Sequence, residues 1–255
     1  MTTEVPEWAG QIATDLPYPL VFATVSGAHL YGFASVDSDL DLRASHVLPA
    51  AEVVGLRTGP QTLQADGLRD GVELDVVSHD LLKFARLLNS RNGYVLEQLL
   101  SPLVVVTTPV HAELTALAPR LVTRNHAYHY LGFAATQEKL FAKTGELKPA
   151  LYLLRVLLTG RHLMRTGEVV ADLRELDAPA YVPDLIAAKR AAEHGPFPPD
   201  VRAALDHDVA RLRTDLEAAR DASRLPDQPD PDAVGALHDL VVRVRLTGPA
   251  AAPGR

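Results

Sequence analysis

Apolar and charged positions alternate along Asp39-Leu40-Asp41-Leu42-Arg43 and again along Val72-Glu73-Leu74-Asp75-Val76. A period of two is the mark of a strand with one face buried, so both segments are predicted as strands. PLVFATV (residues 19–25), DLDLRASHVL (39–48) and GVELDVVS (71–78) form the expected set, with LVVVTTP (103–109) as a further candidate strand. TGPQTLQADGLRDG (58–71) reads as a hairpin or loop. HDLLKFARLLNS has helical spacing of its apolar residues, and NGYVLEQLL starts a short helix after an Asn cap.

From Pro109 the period changes to that of helices: 111–121, 124–145, 148–167, 182–200, 201–223 and 233–246, most of them closed by Pro or Gly. Leu151, Leu154, Leu157 and Leu158 make a core stripe in one of these. The expected architecture is α+β, with a small mixed-sheet domain over residues 1–108 and a helical domain over 109–255 whose tail, 248–255, is loose.

Composition narrows the chemistry. The chain has 255 residues, enough for a full core, and 47% of them are hydrophobic, as in ordinary globular proteins. It has no cysteine, which excludes disulfides and thiolate ligands and leaves oxygen ligands and hard cations for any metal site. No apolar run reaches the roughly 20 residues of a membrane span, and the acidic N-terminal stretch lacks the pattern of a signal peptide, so a cytoplasmic protein is expected. The net charge of −7 argues against indiscriminate nucleic-acid binding. Residues Arg120 to Arg165 nevertheless carry eight Lys or Arg against two acids, a candidate RNA-binding surface.

The stretch Ser26-Gly27-Ala28-His29-Leu30-Tyr31-Gly32-Phe33-Ala34-Ser35-Val36-Asp37-Ser38-Asp39-Leu40-Asp41 holds the candidate chemistry. Residues i and i+2 of a strand share a face, so Asp39 and Asp41 project together while Leu40 and Leu42 point into the core. Adjacent carboxylates repel unless a cation joins them. Asp75, on the second alternating strand, is the candidate third carboxylate, with Glu73 as its competitor. Such a set suits two-metal phosphoryl transfer with Mg²⁺ or Mn²⁺, one ion activating a hydroxyl and the other holding a triphosphate. The Gly27 turn adds backbone amides that can cradle phosphate oxygens, with Ser26, Ala28 and Ser35 beside it and Gly32 extending it. His29 and Tyr31 fit either nucleotide contact or packing at a helix start. Asp37 fits a turn or cap, and Arg43 a salt bridge. In the helical half, Lys148, Tyr152 and Arg155 share one face suited to a triphosphate and a base. His126 and His129 lack a supporting carboxylate and read as packed histidines.

On Gly27, Asp39, Asp41 and Asp75 the chain resembles the DNA polymerase β nucleotidyltransferase superfamily, whose signature is Gly-Ser, then Asp-x-Asp, then a third Asp on a later strand. SGAHLYGFASVDSDLDLR and KPALYLLRVLLTGRHLMRTGEV look more narrowly like its RNA-ligase-associated, RNA-repair branch. The resemblance spans about Phe22 to Val170 and implies a polymerase β-like core and transfer of an NMP from an NTP such as ATP to an acceptor hydroxyl, with an RNA end as the acceptor it suggests. It also implies basic residues supplied by the helical domain, Lys148 among them. One departure is Ala28, where the family pattern has Ser, removing a hydroxyl from the phosphate turn. Two alternatives follow: a weak or inactive nucleotidyltransferase fold that binds RNA or a partner, and an adenylyltransferase acting on a protein or small molecule.

Overall fold

The structure is a computed structural model that describes residues 6, 8–191 and 195–248. From residue 249 on, the expected loose tail lies outside the described residues. The chain is α+β, as its pattern predicts. Its elements begin with α1 (Trp8–Thr14), β1 (Leu20–Val25), α2 (Gly27–Leu30), β2 (Leu40–His46) and α3 (Ala51–Val54). The hairpin β3 (Thr62–Arg69) and β4 (Val72–Asp80) follows, then α4 (Leu81–Leu88), α5 (Gly93–Leu99), β5 (Val104–Val106) and α6 (Pro109–Leu121). Helices α7 (Ala127–Thr144), α8 (Leu147–Thr166), α9 (Val182–Ala191), α10 (Arg202–Asp221) and α11 (Pro231–Thr247) complete it.

Contacts divide the chain into two compact units. The first comprises residues 1–27, 39–121 and 228–255; the second comprises 28–38 and 122–227. The boundary expected after residue 108 falls inside the first unit, and α11 belongs to the first as well.

The first unit is built on a mixed five-stranded sheet, ordered β3-β4-β2-β1-β5. β2 and β4 run parallel, and the remaining neighbours are antiparallel. β1 is buried at every position, as a central strand should be, and β4 alternates along most of its length. The segment read as a hairpin or loop forms β3, a polar edge strand, joined to β4 by a two-residue Asp70-Gly71 turn with both residues at positive φ. One sheet face is closed by α1: Ala9 sits in the core with Val25, Leu40, Leu42, Leu74 and Val76, and Trp8 and Ile12 pack against them. With its apolar side sealed in this way, the opposite side of β2 and β4 must carry their charged residues.

α11 is anchored at the end of the sheet by a buried ion pair. Arg245 meets both carboxylate oxygens of Asp80 at 2.9 and 2.8 Å, while Asp80 also accepts from the Leu48 and Leu82 amides and so caps α4. Asp80 therefore has its full complement of donors.

The second unit is helical around α8, which is buried on nearly all sides; Leu151, Leu154, Leu157 and Leu158 lie in its core as expected. Among the described residues no helix is long and apolar enough to cross a membrane.

Candidate active site

β1 is followed by the buried Ser26, whose amide donates to the Asp41 carbonyl at 2.9 Å and ties the following turn to β2. Gly27 then adopts φ +60°, a conformation that favours glycine, and a Cβ there would overlap the Asp41 carboxylate. The turn and the acid are therefore built as one unit. The Ser26 Oγ is buried and has no hydrogen-bond partner among the described residues. A buried hydroxyl left so costs about 1–3 kcal/mol, which a ligand oxygen would relieve.

Asp41 and Asp75 are direct register partners on the parallel strands β2 and β4, so both project from the face opposite α1. Register thus places Asp75 rather than Glu73 beside Asp41; Glu73 pairs with Leu68 across β3 and is exposed. Arg43 Nη2 lies 2.5 Å from Asp41 Oδ1 and 2.8 Å from Asp75 Oδ2. Its Nη1 donates to the Leu42 and Asp75 carbonyls at 3.0 and 2.7 Å, and its Nε to the Tyr94 hydroxyl at 2.8 Å. Burial disfavours this cation, but the Tyr94 oxygen and the two carboxylates outweigh it and hold the guanidinium charged, above its ordinary value. Tyr94 is delivered by α5, whose first amides are capped by the Asn92 side chain. Sequence reasoning singled out the cap and missed the tyrosine, because nothing in its spacing relates it to a residue 51 positions away.

Asp39 stands apart. It precedes β2 and is exposed, and among the described residues no three His, Asp or Glu side chains gather closely enough to hold a metal ion by themselves. Of the three carboxylates expected to act together, Asp41 and Asp75 share Arg43, and Asp39 lies exposed ahead of the strand. The residues present still fit a divalent cation of the hard class. Mg²⁺ binds through one or two carboxylates and keeps waters and substrate phosphates as its other ligands, and the donors here are carboxylate and hydroxyl oxygens beside a turn bared by glycine.

The model of the RlaP family, the RNA repair pathway DNA polymerase beta family, matches residues 1–243. The chain belongs to this family. No curated protein matches the chain. Membership in RlaP implies nucleotidyltransferase-type activity in RNA repair, the class of chemistry for which Asp41, Asp75 and the Gly27 turn are suited.

Residues 28–38, between the Gly27 turn and Asp39, lie in the second unit. Ala28 is buried, and its carbonyl accepts from the Phe33 amide, closing the turn. Tyr31 and Ser35, expected at the phosphate cradle, are interior instead. Tyr31 is covered by the Arg155 guanidinium, 3.8 Å from its ring centroid, and by the edge of Tyr152. The Ser35 hydroxyl is engaged by Ser38 Oγ at 3.0 Å and by Lys189 Nζ at 3.3 Å. Gly32, at φ +85°, is enclosed rather than open: a Cβ there would overlap the Asp172 carboxylate, itself paired with Arg174. Arg190 holds the Gly32 carbonyl at 2.9 Å. Lys189 and Arg190 had no signal in the sequence, since they meet this loop from more than 150 residues away.

Lys148 and Tyr152 are half-buried on α8, and Arg155 is fully buried. The basic stretch is partly neutralised. Arg120 pairs with Asp230, Arg124 with Asp227, and Arg161 with Asp177 and Asp215, whereas Lys139, Lys143 and Arg165 are exposed. His126 and His129 are held at about 4, chiefly by burial, and behave as packed neutral histidines.

Proposed function

We propose that this protein transfers an NMP from an NTP to an acceptor hydroxyl at an RNA end, releasing pyrophosphate. The observation that carries this reading is the register of Asp41 with Asp75 on neighbouring parallel strands, beside a Gly27 turn that admits no side chain. Asp41 and Asp75, with Asp39 recruited from its exposed position just ahead of β2, would hold Mg²⁺ or Mn²⁺. The cation, when bound, supplies charge neutralisation on the triphosphate and acidifies the acceptor hydroxyl.

The chain's own residues do the rest. The Gly27 turn offers backbone amides to phosphate oxygens. Ser26 Oγ replaces the hydroxyl that Ala28 lacks; Ser35 is less suited, because its hydroxyl is already engaged. The Asp75 side chain, 44% exposed, is the accessible acceptor for the proton of the attacking hydroxyl, while Asp41, at 22%, is the more enclosed ligand.

Ala28 favours a second reading, an RlaP fold that binds nucleotide or RNA without turnover. Incubation with each labelled NTP, Mg²⁺ or Mn²⁺ and RNA, DNA or protein acceptors separates the two. Transfer to RNA that is lost in Asp41→Ala supports the enzyme; transfer to protein alone supports an adenylyltransferase of another acceptor class. Absence of both transfer and metal-dependent NTP binding sinks the catalytic reading. Lys148→Ala in the same assay tests whether α8 contributes to NTP binding, and a steep salt dependence of RNA binding tests the Lys139, Lys143 and Arg165 charges.

A further inference from the structure

The guanidinium of Arg43 is saturated. A guanidinium has five N–H donors, and here all of them are directed to five acceptors: the Tyr94 hydroxyl, the Leu42 and Asp75 carbonyls, and one oxygen each of Asp41 and Asp75. The side chain is only 8% exposed, and it has no donor left for a phosphate unless an existing bond breaks. Its role must then concern the two carboxylates themselves.

Two consequences follow from this geometry. By taking Asp41 Oδ1, Arg43 turns Asp41 Oδ2 toward Gly27, the oxygen that a Cβ at position 27 would meet first. By lying between Asp41 and Asp75 it also supplies the positive charge that the pair requires when no metal is present. A monovalent cation so placed repels an incoming divalent one, since unit charges about 4 Å apart interact appreciably even near a protein surface.

We infer that Arg43 is a positioning residue and built-in counter-cation for the Asp41–Asp75 pair, which holds the carboxylates in register without metal and lowers their affinity for Mg²⁺ until nucleotide arrives. This rests on the metal reading above. Metal delivered with the negatively charged triphosphate overcomes the repulsion, so the site loads with its substrate and not with free ion. The planar fork is essential to positioning, and the charge to the suppression of metal binding; the two can be separated by substitution.

The experiment measures Mn²⁺ binding to the full chain without nucleotide, by the loss of the free-ion electron paramagnetic resonance signal, together with NTP turnover. Arg43→Met should bind Mn²⁺ about tenfold tighter than the unaltered chain, because it removes a unit positive charge held 2.5 and 2.8 Å from the two carboxylates. Its turnover should fall about 10–100-fold, as for other residues that orient metal ligands. Arg43→Lys keeps the charge and loses the fork, so it should bind Mn²⁺ within about twofold of the unaltered chain and still lose at least about tenfold in turnover. A residue of purely structural importance would weaken binding and turnover together. Equal or weaker Mn²⁺ binding by folded Arg43→Met, or full turnover by Arg43→Lys, overturns the inference and leaves the metal reading standing. If no variant and not the unaltered chain binds Mn²⁺, with or without NTP, both fail.

Discussion

Asp41 and Asp75 face each other across the parallel β2–β4 pair, in register, with their carboxylates on the side of the sheet away from α1. Replacing either by Asn keeps the shape and removes the charge. Outer-shell partners of a metal typically contribute about 10–100-fold, and a direct ligand should contribute no less, so NMP transfer should fall by at least about 100-fold in each variant. Single-turnover assays at saturating Mg²⁺ check this. Asp39→Asn, altering an exposed residue ahead of the strand, should show a smaller loss that excess Mn²⁺ partly restores.

Gly27→Ala brings two penalties together. A left-handed backbone costs an L-residue about 1–2 kcal/mol, and the added Cβ displaces the Asp41 carboxylate. The expected result is a lower urea midpoint together with loss of NTP binding in equilibrium titration. The same substitution at Gly145, which also has positive φ but has nothing within 4 Å, should cost stability alone.

Ser26→Ala removes a buried hydroxyl that has no partner, so thermal stability should hold or rise slightly. If that hydroxyl meets the triphosphate, KM for NTP rises several-fold, on the order of the 0.5–1.5 kcal/mol of one hydrogen bond. Unchanged KM would remove Ser26 from the phosphate site, and Ala28→Ser would then be the variant to examine.

Stability should fall on mild acidification. Burial pushes His79, His126 and His129 down to about 4 and lowers His46 and His111 as well, from an ordinary value of 6.5. The unfolded chain thus binds more protons than the folded one between those values, so stability is full above pH 6.5 and declines as pH drops toward 4. Asp80, buried but held below its ordinary 3.8 by Arg245 and two amides, adds a further loss under that pH. Thermal midpoints from pH 8 to 4 should trace the decline, and His126→Gln should make it shallower.

Arg245→Met leaves Asp80 buried and without its cation, which should lower unfolding free energy by about 3–5 kcal/mol. Denaturant melts at pH 7 measure this. Arg120→Met, whose partner Asp230 is exposed, should leave the same melts nearly unchanged.

The strands β1, β2 and β4 and the long helices were legible in the sequence, because side-chain period and turn chemistry are local properties of the chain, whereas the register that sets Asp75 rather than Glu73 beside Asp41 was not. The α+β class followed from the same periodicity. Local pattern could not reveal that Arg43 lies between the two acids, that Tyr94 and Lys189 serve residues far away in sequence, or that α11 joins the sheet through Asp80 and Arg245. It also placed Ser35 beside an open cradle and left Tyr31 between nucleotide contact and packing, whereas side chains of α8 and α9 make both interior. Alternation determined which residues could share a face. Only tertiary packing decided which carboxylates meet a guanidinium and which stay in solvent, because burial and long-range pairing depend on neighbours that no window of sequence contains.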